Sequence, residues 1–388
     1  MRVGFVAASP NEYIGICSES AVDRRRLAAL IPYWEEQGVK VAPWNPRDIF
    51  DVIYCVSVQQ SQEQCRRILG QRRQRRSAAL VVGLVEDAYF GHFATRYSSD
   101  PIELAKREIR NTKDILRVVR DGFAGIGLIR SRKQEVLNII KEADAVVTTS
   151  AGQATLVRQT NLRVLDIADP MPHSDFKGRH CEYPLSRSPI RIVWEGTNWG
   201  LSLVEHVRPA LERLARRVSI EFVFIGPRYR PDTFHGTKDN AEILKTYGFP
   251  TQHIEWRLAN IGASLSSCDI GIAPMLIGNP FYANKAFSKP LSYMTVGMPV
   301  VASGIPSYRE LITNGVNGYL ANTIDEWSGA LGALSESSIL RRAIGMEGQR
   351  RATSYHSVEI AANKMLKVFD NAVRWRSQRS KALRGLRP

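Results

Sequence analysis

Short apolar runs alternate with longer amphipathic stretches along the whole of this 388-residue chain. Apolar runs bounded by turn-forming residues predict buried strands, whereas apolar positions three or four residues apart predict helices. A parallel sheet covered by helices on both faces is the arrangement that such an alternation indicates. In the N-terminal half, the pattern predicts strands over 2–8, 39–42, 51–56, 78–85, 145–148 and 163–167 and helices over 20–37, 59–76, 102–120, 131–143 and from 152 onward.

The alternation starts again in the C-terminal half, after a stretch without a hydrophobic period. This stretch, 171–189, is rich in proline, histidine, serine and arginine, which is typical of a linker between domains. We therefore expect an α/β protein with two Rossmann-like domains facing a cleft, over 1–170 and 190–356, and a C-terminal helix with a basic tail over 357–388. The second set of elements consists of strands over 190–195, 220–225, 253–256, 269–273 and 299–303, helices over 201–217 and 288–296, and helix beyond 326.

The segment 268–320 has the clearest helix start and stop signals. Gly297, with a proline two residues later, predicts the left-handed end of a helix for which Ser288 is the expected N-cap. Ser307 and Glu310 have the spacing of a capping box and predict the start of the next helix. The segment is therefore expected to continue the βα alternation with two further helices.

Composition constrains the partners of the chain. The net charge of +15, from 53 Lys and Arg against 38 Asp and Glu, indicates an anionic partner: nucleic acid, acidic lipid or a phosphorylated substrate. No apolar run reaches the roughly 20 residues that cross a bilayer, and the N-terminus has too short an apolar core for a signal peptide. The five cysteines are scattered without a C-x-x-C pair, which favours reduced, mostly buried thiols in a cytoplasmic protein.

The C-terminal tail is the most basic part of the sequence. From Ala372 onward it contains six Lys and Arg residues and no acidic residue, with Trp375 among them. Such a composition fits peripheral contact with the anionic inner face of a membrane. It also fits a frayed, solvated chain end, which is the outcome that we expect.

Two lysines lie near a predicted helix start. Lys285 and Lys289 are four residues apart, so that both fit on one face of a helix. A helix N-terminus attracts anions through its free N–H groups and its dipole, and two ammonium groups there suit a diphosphate. Solvated surface lysines are the other explanation of this pattern. The turn between Gly196 and Gly200 adds backbone amides that can approach a phosphate, because glycine has no side chain.

The stretch that begins at Lys289, KPLSYMTVGMPVVAS, resembles the donor-site segment of GT-B glycosyltransferases, particularly the GT4-like group 1 family. In that family the pattern is approximately K-x-x-E-Y-M-A-x-G-x-P-V-V-A-S. The next stretch, SYRELITNGVNGYL, is similar to the family segment P-E-x-I-x-x-G-x-x-G-x-L. The resemblance extends over about residues 190–365 and is only architectural before that.

The resemblance implies a glycosyltransferase of the hexosyltransferase type. Its donor would be a nucleotide-diphosphate sugar of the UDP or GDP type, and its acceptor a saccharide or a lipid-linked hydroxyl compound, as in polysaccharide biosynthesis. The family implies retention of anomeric configuration and dispenses with a metal, because positive side chains and a helix N-terminus carry the leaving diphosphate. No D-x-D triplet occurs in the sequence, and no cofactor is predicted.

This chain departs from the family pattern at two positions. The family has two glutamates eight positions apart, of which the second holds the ribose hydroxyls and the first lies near the transferred sugar. Asparagine and serine stand there in this chain, and they can form hydrogen bonds but bring no charge. The donor-binding residues that we predict are Gly196, Thr197, Asn198, Arg228, Asn284, Lys285, Lys289, Ser292, Tyr293, Ser307 and Glu310.

An acidic residue and a histidine follow the predicted strand 78–85. Asp87 and His92 would lie at the carboxyl end of that strand, where catalytic groups collect in α/β folds. A base that acts on an acceptor hydroxyl has to be Asp, Glu or His, so that Asp87 or His92 is the predicted catalytic residue. A loop carboxylate and a hydrogen-bonded surface histidine are the alternative explanation.

Two other functions remain open from the sequence. Nucleotide-sugar epimerases of the isomerase type share the GT-B fold, and they need no separate acceptor. A non-catalytic GT-B protein that binds an anionic partner is the other alternative, and the replacement of both family glutamates fits it. The basic residues are not interleaved with aromatic residues as in a nucleic-acid reader motif, so that no nucleic-acid partner is expected.

Overall fold

The structure of the protein is a computed structural model. It describes residues 1–8, 23–71, 78–84, 134–172, 176, 181, 183, 188–196, 201–232, 236–278 and 280–385. The strands are β1 (Arg2–Val6), β2 (Lys40–Pro43), β3 (Val52–Cys55), β4 (Ala79–Gly83), β5 (Ala145–Thr148), β6 (Val164–Asp166), β7 (Ile190–Glu195), β8 (Ile220–Ile225), β9 (Tyr229–Asp232), β10 (Gly236–Asp239), β11 (Thr251–Ile254), β12 (Ile270–Ala273), β13 (Val300–Ser303) and β14 (Tyr319–Ala321).

Helices connect most of these strands. A π-helix covers Arg24–Ala28, and residues 134–142 are helical. The α-helices span Ile31–Glu36, Gln62–Gln71, Ala151–Arg158, Leu201–Val204, Arg208–Ala215, Asn240–Leu244, Ile261–Ser266, Pro280–Ala283, Ser288–Thr295, Pro306–Leu311, Ile324–Glu336, Ser338–Tyr355 and Val358–Gly385.

The chain divides into two compact units. The first contains Met1–Pro170, Gly278–Ala286 and Val358–Pro388, and the second contains Met171–Ile277 and Phe287–Ser357. The sequence analysis had assigned Gly278–Ala286 to the second domain and the C-terminal helix to neither. The helix Val358–Gly385 belongs to the first unit because its apolar side chains complete that unit's core.

The first unit is built on a parallel sheet with the strand order β2-β1-β3-β4-β5-β6. The C-terminal helix packs on one face of this sheet, where Phe369 contacts Trp34 edge-on with ring centroids 5.2 Å apart. The indole N–H of Trp34 donates a hydrogen bond of 3.1 Å to the carbonyl oxygen of Ala362. The stretch 361–372 of this helix is thus part of the core of the first unit.

The second unit is built on a parallel sheet with the strand order β11-β8-β7-β12-β13-β14. Counted within this unit's sheet, the order is 3-2-1-4-5-6, which is the order of dinucleotide-binding Rossmann sheets. The direction of the strand order reverses between β7 and β12. In open α/β sheets, ligands bind outside the carboxyl ends of the strands at such a reversal.

The two parallel sheets with flanking helices confirm the predicted α/β class. The predicted strands 145–148, 190–195 and 220–225 have the observed limits. Two predicted helices, 20–37 and 201–217, are interrupted, since new helices begin at Ile31 and at Arg208 with Pro32 and Pro209 in their first turns. Proline lacks the N–H that a continuous helix needs, and it fits the first turn.

Two of the predicted helix-end signals were wrong, and one was confirmed. The capping box at Ser307 does not form, because the helix begins one residue earlier at Pro306, after Ile305 as the N-cap. Ser288 is the first helical residue and not the N-cap, which is Phe287. Gly297 has the predicted left-handed conformation, with φ of 76°. The expectation of a frayed tail was also wrong, because the last helix continues to Gly385.

Two further predictions concern the burial of the cysteines and the presence of membrane-spanning helices. Cys55, Cys65, Cys181 and Cys268 are buried and form no disulfide bond, as the sequence predicted for most of the cysteines. None of the helices in the described ranges is long and apolar enough to cross a bilayer.

Candidate active site

The carboxyl ends of β7 and β12 are held together by specific hydrogen bonds. The buried residue Tyr293, on the second helix after β12, accepts a hydrogen bond of 2.9 Å from the backbone N–H of Glu195. The same hydroxyl donates to the carbonyl oxygen of Ile272, at 3.3 Å. Burial raises the pKa of Tyr293 well above its usual value, so that the hydroxyl stays protonated. Tyr293, predicted as a donor-binding residue, therefore fixes the helix Ser288–Thr295 against both strands at the reversal point.

A glycine makes room for this tyrosine. A Cβ atom at Gly271, in the middle of β12, would collide with the ring of Tyr293. At the other end of the same helix, Gly345 lies so close to the carbonyl oxygen of Gly297 that a Cβ atom would collide there as well. Close packing on both sides therefore determines where the first turn of the helix Ser288–Thr295 lies.

Lys289 extends from this first turn to the end of β7. Its ammonium group lies 4.5 Å from the centre of the Trp194 ring and 3.9 Å from Oε2 of Glu195. Its side chain is only 16% exposed. A cation held by an aromatic face and a carboxylate is preorganised, and it is available for a ligand anion in the crevice above β7.

Gly196 lies directly beside this ammonium group. A Cβ atom at position 196 would lie 2.8 Å from Nζ of Lys289 and 2.7 Å from the ring of Trp194. The backbone N–H of Gly196 donates to the carbonyl oxygen of Ile225 at 3.0 Å, so that this residue still belongs to the sheet. Among the predicted donor-binding residues that the structure describes, Gly196 and Lys289 lie side by side.

Glu195 is a site residue that was not predicted from the sequence. Its Oε1 accepts a hydrogen bond of 3.2 Å from the indole N–H of Trp256, and its side chain is 18% exposed. A carboxylate at the last position of a predicted buried strand is the sequence feature that points to it. Such a position faces the ligand when the strand lies at a reversal of strand order.

Arg228 belongs to a different cluster, at the carboxyl end of β8. Its Nε lies 3.0 Å from Oδ2 of Asp239, and its backbone N–H donates to the Glu255 carboxylate at 3.2 Å. The hydrogen bond with Asp239 raises the pKa of Arg228 above its usual value. Arg228 is therefore an exposed cation with a carboxylate partner at the rim of the sheet.

Three other predicted donor-binding residues have local roles in the structure. Ser292 is buried, and its hydroxyl donates to the carbonyl oxygen of Ser288 at 2.9 Å. Ser307 is also buried, in the first turn of its helix. Glu310 is exposed, and its backbone oxygen accepts a hydrogen bond from Arg351.

Asn284 and Lys285 are part of the first unit. The hydroxyl of Ser150, which caps the helix Ala151–Arg158, donates to the backbone oxygen of Asn284 at 3.0 Å. Lys285 is exposed, with its ammonium group 5.8 Å from the centre of the Tyr282 ring. The two predicted lysines therefore belong to different units of the chain.

Four predicted site residues lie outside the described residues: Asp87, His92, Thr197 and Asn198. Among the residues that the structure describes, no group of three His, Cys, Asp or Glu side chains is arranged to hold a metal ion.

A comparison with protein families finds a match within the second part of the chain. The family "Glycosyl transferases group 1" matches residues 193–337, a range that includes Glu195, Gly196 and Lys289. This match confirms, for that part of the chain, the resemblance that the sequence motif indicated. No curated protein sequence matches the chain significantly.

Solved structures with the same fold cover nearly the whole chain. Sucrose-phosphate synthase from Thermosynechococcus elongatus is 13% identical with a TM-score of 0.56, over 94% of this chain and 82% of its own. HepE from Anabaena, in complex with UDP-glucose, is 16% identical with a TM-score of 0.57, over 95% and 99%. A glycosyltransferase from Rickettsia africae is 11% identical with a TM-score of 0.53, over 96% and 97%. These similarities confirm the GT-B fold.

Proposed function

We propose that the protein transfers a sugar from a nucleotide-diphosphate sugar to a hydroxyl group of a saccharide or lipid-linked acceptor. The observation that carries this proposal is the ammonium group of Lys289, fixed at the strand-order reversal of a Rossmann-type sheet that matches group 1 glycosyltransferases. A diphosphate in the crevice would accept hydrogen bonds from this ammonium group. The complex of the similar HepE with UDP-glucose supports a nucleotide sugar as the donor.

Lys289 also accounts for the chemistry of the leaving group. Negative charge develops on the diphosphate as the glycosidic bond breaks, and a preorganised cation stabilises that charge without a rearrangement of solvent. We propose that Lys289 takes this role without a metal ion. Asp87 or His92 remains the proposed base for the acceptor hydroxyl, and the resemblance to the GT4-like group supports retention of configuration.

Calorimetric titration with UDP and with GDP, at low and at high salt, tests the proposal. We expect one of the two nucleotides to bind, because a Rossmann-type site distinguishes bases, and binding to weaken only moderately at high salt. Product analysis with the matching nucleotide sugar, with and without saccharide acceptors, then identifies the reaction. A changed sugar formed without any acceptor would indicate the epimerase, and no binding of either nucleotide would contradict the proposal.

We also propose that the C-terminal helix contacts an anionic membrane surface. The buried stripe of this helix ends at Ala372, and exposed Arg374 and Arg379 follow it. The ring of Trp375 lies 6.0 Å from the guanidinium of Arg163, and the neighbouring Leu162 is 86% exposed. Basic side chains beside an exposed apolar residue and a tryptophan are typical of a peripheral membrane surface.

Cosedimentation with vesicles tests this surface. Replacing Arg374, Arg376 and Arg379 by glutamine should weaken binding to phosphatidylglycerol-containing vesicles by at least about tenfold, since each basic residue contributes on the order of 1 kcal/mol. Glutamines at three surface arginines of the second unit, Arg213, Arg216 and Arg217, serve as the control with the same change of charge. Equal losses in both variants, or tighter binding to a DNA oligonucleotide than to vesicles, would contradict the proposal.

A further inference from the structure

Glu195 occupies an unexpected place for an acidic residue. It ends β7 at the reversal of strand order, beside the ammonium group that is proposed to hold a diphosphate. A carboxylate close to that group repels a bound diphosphate, because like charges at short range oppose each other. On charge alone, the site would bind a diphosphate more tightly without Glu195, and a carboxylate at this position is explained if it contacts another part of the ligand.

The two oxygens of the Glu195 carboxylate are used differently. Oε1 accepts the indole N–H of Trp256 at 3.2 Å, which fixes the orientation of the group. Oε2 lies 3.9 Å from Nζ of Lys289, beyond the usual length of a direct hydrogen bond of about 2.7–3.2 Å. A carboxylate accepts about four hydrogen bonds, and an ammonium donates three. One ligand atom can therefore bond to both groups beside the contacts that they already make.

A hydroxyl group is the ligand group that fits this pair. It can donate to Oε2 of Glu195 and accept from Nζ of Lys289 at the same time, whereas a phosphate oxygen can only accept. A hydrogen bond from a neutral hydroxyl to a charged carboxylate is stronger than one to a neutral oxygen. One oxygen atom can lie within hydrogen-bond distance of both charged groups, because these are 3.9 Å apart.

We propose that Glu195 and Lys289 form a subsite next to the diphosphate. This subsite binds a hydroxyl group on a sugar ring of the donor. The inference rests on the proposed function, because it assumes that Lys289 also contacts the diphosphate. In a nucleotide-diphosphate sugar, the groups next to the phosphates are the ribose and the transferred sugar, and the base is one ring further away. Glu195, at the end of β7, thus supplies a carboxylate to a chain in which positions 284 and 292 have lost the two glutamates of the family.

Glu195→Gln tests the inference, because glutamine keeps the shape and an acceptor for Trp256 but removes the charge. Affinities are measured by calorimetry for inorganic diphosphate, for the nucleoside diphosphate and for the corresponding nucleotide sugar. We expect diphosphate to bind about three- to tenfold more tightly, since a repulsive charge is lost. We expect the ligand whose hydroxyl is read to bind about tenfold more weakly, since a charged acceptor is lost.

The three ligands identify which ring is read. If the ribose is read, both the nucleotide and the nucleotide sugar bind more weakly. If the transferred sugar is read, only the nucleotide sugar does, and the nucleotide behaves like diphosphate. Equal tightening of all three ligands, or no change in any of them, would overturn the inference while leaving the proposed function intact. Failure of the unaltered protein to bind any of the three would overturn both.

A second substitution and a control exclude indirect effects. Trp256→Phe removes the N–H that orients the carboxylate but keeps its charge, so that the nucleotide sugar should bind about threefold more weakly and diphosphate should bind as before. Glu336→Gln removes the same charge from the surface of the second unit, where the side chain of Glu336 is 59% exposed. The control should bind all three ligands as the unaltered protein does.

Discussion

Replacing Lys289 by methionine is expected to lower kcat/KM by about 100- to 1,000-fold, as for the loss of one preorganised group that stabilises transition-state charge. Methionine retains an unbranched stem against the ring of Trp194, where the ammonium group lies 4.5 Å from the ring centre. The fold should therefore persist while the cation is lost. Steady-state rates with the donor that titration identifies, together with circular dichroism, provide the measurement.

Lys245→Met is the matched control for this substitution. Lys245 lies on the surface of the same unit, 70% exposed and paired with Glu242 at 2.6 Å. Exposed pairs of this kind contribute about 0–1 kcal/mol, so that activity and stability should change little. A Lys289→Met protein with the kcat/KM of this control would exclude Lys289 from the proposed diphosphate site.

Lys285 is expected to contribute less than Lys289. It is exposed and belongs to the first unit, where its ammonium group lies beside the ring of Tyr282. An exposed cation is already well solvated, so that it stabilises a bound anion less than a partly buried one does. The two lysines are only four residues apart in the sequence, but their side chains have different environments.

The strands could be predicted well from the sequence, whereas helix ends and unit boundaries could not. A continuous apolar run such as 145–148 is buried on both faces, and this leaves an unambiguous pattern. The helices 20–37 and 201–217 kept their apolar period across Pro32 and Pro209, so that the period concealed the breaks. Gly278–Ala286 belongs to the first unit through long-range contacts, which no local pattern records.

The candidate site could be predicted only in part for a similar reason. Lys289 and Gly196 follow from a motif and from a glycine turn, and the structure brings them together. Glu195 and Trp256 become site residues only because β7 lies at the reversal of the strand order, which depends on pairing between distant strands. Ser292 has the polar side chain that a ligand contact needs, yet it is buried and bound to its own helix.

Gly196→Ala is expected to lower kcat/KM by about 100-fold, the typical cost of a displacement of about 1 Å in an active site. The new Cβ would lie 2.8 Å from Nζ of Lys289 and 2.7 Å from the ring of Trp194. The tryptophan cannot give way, because its ring is 1% exposed and stacks on Phe224 at 5.6 Å between ring centres. The backbone at position 196 therefore has to shift, and the flexible end of Lys289 has to leave the position in which Glu195 and Trp194 hold it.

Gly248→Ala is the control for this glycine, since a Cβ there would have no neighbouring atom within 4 Å. It should keep the activity and the unfolding midpoint of the unaltered protein. If Gly196→Ala keeps its activity as well, the space beside Lys289 is not important for function. The measurement is kcat/KM together with denaturant unfolding, which separates a displaced lysine from a damaged fold.

Combining Gly196→Ala with Lys289→Met distinguishes two ways in which the glycine can act. If its bare Cα only leaves space for the ammonium group, the double variant should be no slower than Lys289→Met alone, because residues that act through one contact are not additive. If the backbone at position 196 itself approaches the phosphate, the two losses should multiply. The steric collision with Nζ of Lys289 makes the first result the expected one, and multiplied losses would assign the phosphate contact to the backbone of the turn after β7.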